Sequence, residues 1–427
     1  MRGLIDRAFG LLALALVRGF HREVEMAGLE EIRRPGPRLV VVNHFNGFVD
    51  VVVMVAALGR LPRFIGKATL RNVVIARPFL RLAGVVLVQR RVDGDGTDQN
   101  MQAFSRCHER LAAGDVVVIF PEGTTHDRET LDEVRTGAAR IALSAAPAGV
   151  EGLRVIPVGI TFGDKTRLRN DVLVAVGMPL ALADGDDGSP AAVRALTDEI
   201  ARGIEALVPG TDDPLRAWAH ARAAAIAQRE GTRRVDRAAA LATARRTIAA
   251  PAHQRDQVER AVANYVLALD LAGIDDDAVA ARDLPRITHL AGLAAATWLL
   301  APFIGVLALV NALPLLLVVV IDRFIKVPVT KGTVRVLVAV VAFPSAWIVT
   351  AVLATDGAAL IAGLVVVHAV ALLVALWLVE RDVNALRTIV AVHRARRAAA
   401  RLPALVERRT AVRAAVADAV AAASNAF

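Results

Sequence analysis

Residues 39–50 read LVVVNHFNGFVD, and this stretch joins a short apolar run to a polar cluster. The run Leu39–Val42 predicts a β-strand, and Asn46-Gly47 predicts a turn between His44 and Asp50. A carboxylate that orients an imidazole ring lets the ring take a proton from a hydroxyl group. The stretch therefore predicts a strand that ends at a histidine general base. Capping of a helix start is the alternative use of the same two side chains.

Similar apolar runs recur further along the chain, at Val85–Val88, Val116–Phe120 and Val155–Ile160, with helical stretches between them. Strands that alternate with helices are typical of the α/β class. In α/β sheets, ligands bind at the ends of strands, and polar clusters follow these runs. We therefore expect an α/β domain whose functional site lies at these strand ends.

A second polar cluster, FPEGTTH at residues 120–126, directly follows a predicted strand. Its proline and glycine predict a loop that exposes a carboxylate, hydroxyls and backbone N–H groups, which together can orient a polyol. The alternative is a plain turn in which Glu122 is a solvated charge. A third cluster is basic and contains Lys67, Arg90 and Arg91. Arginine binds phosphate in a bidentate way and lysine acts as a point charge, whereas ordinary surface charge is the alternative.

Composition limits the classes open to this chain of 427 residues. Lysine and arginine exceed aspartate and glutamate by 51 to 42, a net charge of +9 that favours anionic partners. The single cysteine, Cys107, excludes an internal disulfide, and its neighbour His108 would not face it on a helix. The nine histidines are scattered, so we expect no metal. Aromatic residues make up only 4%, so we expect no nucleic-acid partner.

Three stretches without fixed charge lie in the C-terminal half, at Ile287–Ile321, Val336–Thr355 and Gly357–Val379. A membrane-spanning helix needs about 20 apolar residues, so the second and third stretches predict a hairpin that turns at Asp356-Gly357. The first stretch is too long for one span. Pro302, Asn311 and Pro314 predict breaks in it, and we expect a tilted or re-entrant hairpin there.

Basic residues before and after the apolar stretches would all lie on one side of the membrane if the chain forms two hairpins. Because basic residues accumulate on the cytoplasmic side, we expect an integral membrane protein with both ends and its α/β domain in the cytoplasm. A transporter is the alternative class. The stretches contain only His289 and His368 as ionisable residues, which argues against a transport path.

The composition divides the chain into five predicted segments, residues 1–22, 23–210, 211–286, 287–380 and 381–427. The first is predicted to be an interfacial helix, because its apolar run Ala8–Val17 is too short to span a bilayer; an ordinary buried helix is the alternative. The α/β domain, an Ala- and Arg-rich helical insert and the transmembrane region follow. The last segment predicts a basic amphipathic helix suited to anionic lipid, or a partner helix in a bundle.

Taken in order, four blocks of this sequence resemble the glycerolipid acyltransferase family, which contains the lysophosphatidate and glycerol-3-phosphate acyltransferases. The blocks are Asn43–Asp50, Gly84–Arg90, Phe120–Thr124 and Val155–Gly159. One departure is the five residues between His44 and Asp50, where the commonest family spacing has four. The longer spacing is similar to a glycerol-3-phosphate-acyltransferase-like branch, which also tends to carry extra helices and a C-terminal hydrophobic region.

The resemblance implies a mixed, largely parallel central sheet flanked by helices, followed by a helical insert and C-terminal transmembrane hairpins. It implies acyl transfer from acyl-CoA or acyl carrier protein to glycerol-3-phosphate in phospholipid biosynthesis, at membrane phospholipids and without a further cofactor. His44 would be the general base and Asp50 would orient it. The implied substrate-binding residues are Arg90, Lys67 and Arg91 for phosphate, Glu122, Gly123 and Thr124 for the glycerol part, and Pro157 for the acyl-donor region.

The resemblance leaves the acceptor open. Lysophosphatidate or another lysolipid, including an aminolipid, is the alternative acceptor within the class. A non-catalytic membrane protein is the alternative outside it.

Overall fold

The computed structural model forms two compact units. It describes residues 2–67, 85–88, 97–126, 128, 130–163, 167–182, 188–211, 213–230, 235–280, 305, 309–397 and 399–424. The α/β unit comprises Met1–Pro209 with Pro328–Thr333, and the helical unit comprises Gly210–Val327 with Val334–Phe427. The five-segment division made from the sequence stays a prediction.

The α/β unit alternates helices and strands along the chain. Its described elements are α1 (Arg2–Phe20), β1 (His21–Ala27), α2 (Leu29–Arg33), β2 (Arg38–Val42), α3 (Phe48–Leu58), β3 (Arg63–Lys67), β4 (Val86–Val88), α4 (Thr97–Ala112), β5 (Val116–Ile119), α5 (Gly137–Leu143), β6 (Arg154–Phe162), β7 (Asn170–Val176) and α6 (Pro190–Glu205).

The described strands form one sheet in the order β1-β7-β6-β2-β5-β3-β4. Each neighbouring pair is parallel except β6 with β7, which is antiparallel. This mixed, largely parallel sheet confirms the predicted fold class. The four apolar runs identified in the sequence coincide with β2, β4, β5 and β6. The sequence analysis did not identify β1, β3 and β7 as strands.

Strand β2 lies inside the sheet and is buried on both faces. Leu39 and Val41 belong to a cluster of buried side chains that also includes Leu111 of α4, Ile141 of α5 and Ile200 of α6. Val40 and Val42 point to the opposite face, because side chains alternate along a strand, and they are also buried. Burial of both faces fixes the strand, and its carboxyl end leads directly into Asn43 and His44.

Helix α1 packs against α3 in the α/β unit. Ala13 and Val17 are buried, whereas Leu11 and Leu12 are exposed. The helix therefore has a packed side and an exposed apolar side. Its placement at a membrane interface stays a prediction.

The helical unit contains a bundle whose described helices are α7 (Pro214–Gln228), α8 (Arg237–Ala249), α9 (Ala252–Ala272), α10 (Asp276–Ala280) and α13 (Leu402–Ser424). Asp213 caps α7 by accepting the Leu215 and Arg216 N–H groups, as expected of an N-terminal aspartate. Helix α13 buries Leu405, Val412 and Val416 in the core that it shares with α7 and α9. Within this unit α13 therefore packs on other helices of the bundle, and the role predicted for residues 381–427 at anionic lipid stays a prediction.

Two long apolar helices also belong largely to the second unit, α11 (Pro328–Ala354) and α12 (Ala358–Arg397). Among the described residues, Thr330–Ala354 and Ala358–Val383 are long and apolar enough to cross a membrane, and only 17% and 6% of their most apolar windows are buried. A core helix of a soluble protein would be mostly buried. The exposure of both helices fits membrane association.

The first predicted hairpin, residues 287–321, falls mainly outside the described residues. Its described end is helical from residue 309 to residue 324, through Asn311 and Pro314. The breaks predicted at these two positions are therefore wrong. A proline is tolerated in such a helix when neighbouring groups satisfy the freed backbone. Asn311 forms a hydrogen bond between two helices: its Oδ1 accepts the indole N–H of Trp347 at 2.9 Å.

Candidate active site

His44 and Asp50 meet in the structure despite the five residues between them. His44 Nδ1 lies 3.0 Å from Asp50 Oδ2. Asp50 is completely buried in the first turn of α3, and the His44 side chain is 18% exposed. Because Nδ1 faces the carboxylate, the second ring nitrogen, Nε2, is the one that can exchange a proton with a substrate. The His44 ring also stacks on Phe120, with centroids 4.2 Å apart.

Asn43 holds the carboxyl end of β2 against its neighbour β6. Its amide nitrogen donates to the Ile160 carbonyl at 2.9 Å, and its Oδ1 accepts the Ile160 N–H at 2.7 Å. The parallel pairing of β2 with β6 ends just before this residue. The two side-chain bonds thus take the place of the next pair of backbone hydrogen bonds between the strands. The residue before His44 is therefore fixed to the sheet. The sequence pattern placed Asn43 in the cluster but did not predict this role.

The turn at Asn46-Gly47 brings Asp50 back to His44. Gly47 has φ 57° and ψ −125° and precedes the first residue of α3. The Asn46 N–H donates to Asp50 Oδ2 at 2.8 Å, and the Val49 N–H donates to the Asn46 carbonyl at 3.2 Å. One carboxylate oxygen therefore binds both the turn and the imidazole. Among the described residues, Oδ1 of Asn46 and Oδ1 of Asp50 have no hydrogen-bond partner.

Glu122 is buried rather than solvated, so the alternative of a plain turn with a solvated charge is wrong. Its side chain accepts the His44 N–H at 2.6 Å and the Asp132 N–H at 2.8 Å, and it also contacts His126 Nε2. The Arg135 guanidinium donates to the Glu122 carbonyl at 3.2 Å. The carboxylate therefore ties the loop after β5 to the residue that carries the imidazole.

Three further predicted residues, two in this loop and one in β6, are also described. Gly123 has φ 67°, and its N–H donates to the Phe120 carbonyl at 3.0 Å, which closes the turn. Thr124 is half-buried in the same loop. Pro157 is buried in β6, where its ring approaches the positions that a Cβ would occupy at Gly177 and Gly203 to 3.0 and 3.1 Å. Roles for these residues in binding the glycerol part or the acyl donor stay predictions.

The predicted phosphate site falls outside the part of the chain that the structure describes. Arg90 and Arg91 lie beyond the described residues, and Lys67 ends β3 without a described side chain. Their roles in binding phosphate therefore stay predictions.

The thiol of Cys107 lies elsewhere, in α4. It is 1% exposed, and burial raises its pKa to about 12. His108 beside it contacts the Ile141 carbonyl at 3.0 Å instead of the thiol. A thiol in this state is not an activated nucleophile. In the described part of the chain, no three His, Cys, Asp or Glu side chains are placed to hold a metal ion.

A residue far along the chain contacts the turn between His44 and Asp50. The hydroxyl of Thr333, in the first turns of α11, accepts the Phe48 N–H at 3.1 Å. Thr333 is separated from Phe48 by 285 residues in the sequence. No local pattern in the sequence pointed to this residue.

The site combines a partly exposed imidazole, a buried carboxylate on one side of its ring and a loop fixed by Glu122. Such a dyad can remove a proton from a hydroxyl group and return it to a leaving group. The carboxylate stabilises the imidazolium that forms between these two steps.

Comparison with known proteins gives consistent matches to the first part of the chain. A family model described as Acyltransferase matches residues 23–161. The chain is similar to a lyso-ornithine lipid O-acyltransferase of Brucella abortus, 34% identical over 39% of this chain and 61% of that protein. It is also similar to glycerol-3-phosphate O-acyltransferase 1 of Saccharomyces cerevisiae, 25% identical over 26% of this chain and 16% of that protein.

The Brucella match spans less than two thirds of that protein's own length. Among solved structures, a 1-acyl-sn-glycerophosphate acyltransferase from Thermotoga maritima matches with a TM-score of 0.34 and 22% identity, over 47% of this chain and 78% of that chain.

Proposed function

We propose that this chain, whose residues 23–161 match a family model described as Acyltransferase, transfers a fatty acyl group from a thioester to a hydroxyl group of a lysolipid. The observation that carries the proposal is the contact of 3.0 Å between His44 Nδ1 and the buried Asp50 carboxylate. This contact fixes the ring and directs Nε2 to the substrate. The donor is acyl-CoA or acyl carrier protein.

The reaction proceeds through proton transfer at His44. Nε2 takes the proton of the acceptor hydroxyl while the hydroxyl oxygen attacks the carbonyl carbon of the thioester. The C–S bond then breaks, the new ester is released, and the thiolate takes the proton from the imidazolium. Asp50 remains ionised throughout and stabilises the imidazolium, as the carboxylate of a catalytic triad does.

We place the acceptor in the lysolipid class because the relative named as a lyso-ornithine lipid acyltransferase has a higher identity, 34%, than the yeast glycerol-3-phosphate acyltransferase, 25%. Glycerol-3-phosphate remains the second candidate, because the longer His44–Asp50 spacing is similar to that branch.

A lysolipid acceptor agrees with membrane association. The exposed apolar helices Thr330–Ala354 and Ala358–Val383 would anchor the chain in the bilayer that contains its acceptor. Basic residues lie before the first helix, at Arg323 and Lys326, and after the second, at Arg387 and Arg394, but not in the turn between them. This placement supports an integral protein with its α/β unit on the cytoplasmic side.

The test is an acyl-transfer assay with the purified full chain in detergent. The protein receives acyl-CoA with lyso-ornithine lipid, lysophosphatidate or glycerol-3-phosphate, and both free CoA and the acylated lipid are measured. We expect product with a lysolipid, and a rate reduced about 10²- to 10⁴-fold in His44→Ala, because a general base contributes that much. The control is His253→Ala, which changes an exposed histidine of α9 and should leave the rate unchanged.

Two outcomes would contradict parts of the proposal, one for the acceptor and one for the general base. Product with glycerol-3-phosphate alone would replace the acceptor assignment and keep the chemistry. A His44→Ala variant as active as His253→Ala would reject the proposed base.

A further inference from the structure

Helix α3, which carries Asp50, begins without a side-chain cap. Gly47 occupies the capping position and makes no side-chain hydrogen bond. Helices usually begin at Ser, Thr, Asp or Asn, whose side chain accepts one of the first free N–H groups. At Gly47 the positive φ of 57° disfavours those residues. The amides of this turn must therefore find acceptors elsewhere.

Thr333 provides one of these acceptors from a distant part of the chain. Its Oγ1 lies 3.1 Å from the N–H of Phe48, the first residue of α3. Pro328–Thr333 belongs to the same compact unit as α3. The hydroxyl thus accepts the first of the N–H groups that the start of a helix leaves without a partner inside the helix.

Gly332 makes this approach possible. A Cβ at this position would lie 2.4 Å from Asn46 Oδ1 and 2.9 Å from Val49 Cγ2, so an alanine there would require both side chains to shift. The backbone at Gly332 therefore packs directly on the turn between His44 and Asp50. Since the Asn46 N–H also donates to Asp50 Oδ2, a displacement of Asn46 would move the carboxylate that orients His44.

From these contacts we propose that Gly332 and Thr333 are positioning residues for the catalytic dyad, with Thr333 capping the start of α3 by accepting the N–H of its first residue. The proposal rests on the proposed function only for its effect on turnover. The capping contact itself can be measured without any substrate.

The experiment compares substitutions at this segment with matched changes elsewhere in the apolar helices. Thr333→Val removes the acceptor oxygen and keeps the shape, and Thr333→Ser restores the oxygen. Thr350→Val is the control, because the Thr350 hydroxyl donates to Ala346 of its own helix. Gly332→Ala is paired with Gly363→Ala, where a Cβ would meet no atom within 4 Å.

We expect Thr333→Val to lower kcat about five- to tenfold with little change in KM, because a small displacement of the groups that orient the general base lowers the rate. Thr333→Ser should recover most of the rate. Gly332→Ala should lower kcat at least as much, because Asn46 must move. Thr350→Val and Gly363→Ala should behave like the wild type. Hydrogen–deuterium exchange of the Phe48 amide, followed by mass spectrometry, should accelerate in Thr333→Val and not in Thr350→Val.

An active enzyme whose kcat is unchanged in both Thr333→Val and Gly332→Ala would overturn the proposal. If the wild type acylates none of the acceptors, the proposed function fails, and the exchange measurement then decides the capping contact alone. Unchanged exchange at Phe48 would overturn that contact, and faster exchange would support it. A Thr333→Ser variant as impaired as Thr333→Val would also contradict the role of the hydroxyl.

Discussion

The carboxylate of Glu122 illustrates how a single residue can serve a site from inside the protein. It is 2% exposed and accepts N–H groups from His44 and Asp132. Backbone amides that follow buried strands need acceptors, because an unpaired buried N–H costs about 1–3 kcal/mol. Glu122 accepts two backbone N–H groups, and because one of them belongs to His44, it fixes the position of the backbone that carries the imidazole. Contact with the glycerol part of a substrate, which the resemblance implies, stays a prediction.

The variant Glu122→Gln distinguishes these two roles. The amide keeps one acceptor oxygen and turns an NH₂ group towards backbone donors, so we expect a loss of about 1–3 kcal/mol in the free energy of unfolding. We also expect a lower kcat with an almost unchanged KM, because the residue positions His44. Thermal unfolding and initial rates provide the measurements, and the exposed Glu133→Gln is the control. A normal unfolding midpoint with a raised KM for the acceptor would support substrate contact instead.

At the scale of elements, a buried ionic cluster joins four helices of the bundle. Asp276 in α10 accepts the Tyr265 hydroxyl from α9 at 2.8 Å and the Arg409 guanidinium from α13 at 3.0 Å. Arg229 lies 3.0 Å from the other carboxylate oxygen. Arg409 also donates to the carbonyls of Ile226 and Arg229 at the end of α7. These bonds fix the position of α13 in the bundle.

Asp276→Asn should destabilise the bundle by about 3 kcal/mol, because it leaves the buried Arg409 without its counter-ion. Asp277→Asn is the matched control. Its side chain is 63% exposed and pairs with the same Arg229, so its removal should cost less than about 1 kcal/mol. Urea unfolding of both variants measures the difference. Equal losses in the two variants would contradict a special role for the buried cluster.

Tyr265 offers a second measurement of the same cluster, since it is the single tyrosine of the chain. Burial, together with the charge of Asp276, raises its pKa well above the ordinary value of 10. Stability from this group is therefore complete below about pH 10 and is lost as the pH rises further, because the unfolded tyrosine ionises first. In a spectrophotometric titration, tyrosinate should form at a lower pH in Asp276→Asn than in the wild type.

At the scale of the whole molecule, the exposed apolar helices are the feature that a globular core does not explain. Val366 and Val370 lie on α12 within the apolar segment Ala358–Val383 and are 62% and 55% exposed. Leu386 and Val390 have the same spacing on the same helix, beyond that segment, and are 62% and 39% exposed. Because the two pairs differ mainly in their position along the helix, substitutions at them test whether the segment Ala358–Val383 is embedded in a membrane.

Replacement of Val366 and Val370 together by arginine should release the protein from membranes. Each arginine near the centre of a span costs about 2.5–3.5 kcal/mol. Replacement of Leu386 and Val390 by arginine should have no such effect. Sodium carbonate extraction of membranes, followed by sedimentation, measures the fraction that stays in the pellet. Release of both double variants to the same extent would contradict a span that ends near Val383.

The missed strand β1 differs from the recognised strands in how much apolar sequence it contains. The strands β2, β5 and β6 consist mostly of Val, Ile and Leu and were recognised from that run. β1 reads HREVEMA and lies at the edge of the sheet, where polar residues are tolerated, so it lacked the signal. The breaks predicted at Asn311 and Pro314 failed because the helix accommodates both residues and Asn311 binds Trp347.

The sequence alone determined the features that depend on neighbouring residues: the alternation of strands and helices, the turn between His44 and Asp50 and the two long apolar helices. Tertiary structure alone decided which partners the buried polar groups take. Glu122 binds an amide 78 residues away, Asp276 a guanidinium 133 residues away, and Thr333 an amide 285 residues away. Burial obliges each polar group to find a partner, but only the packing of distant segments determines which one is within reach.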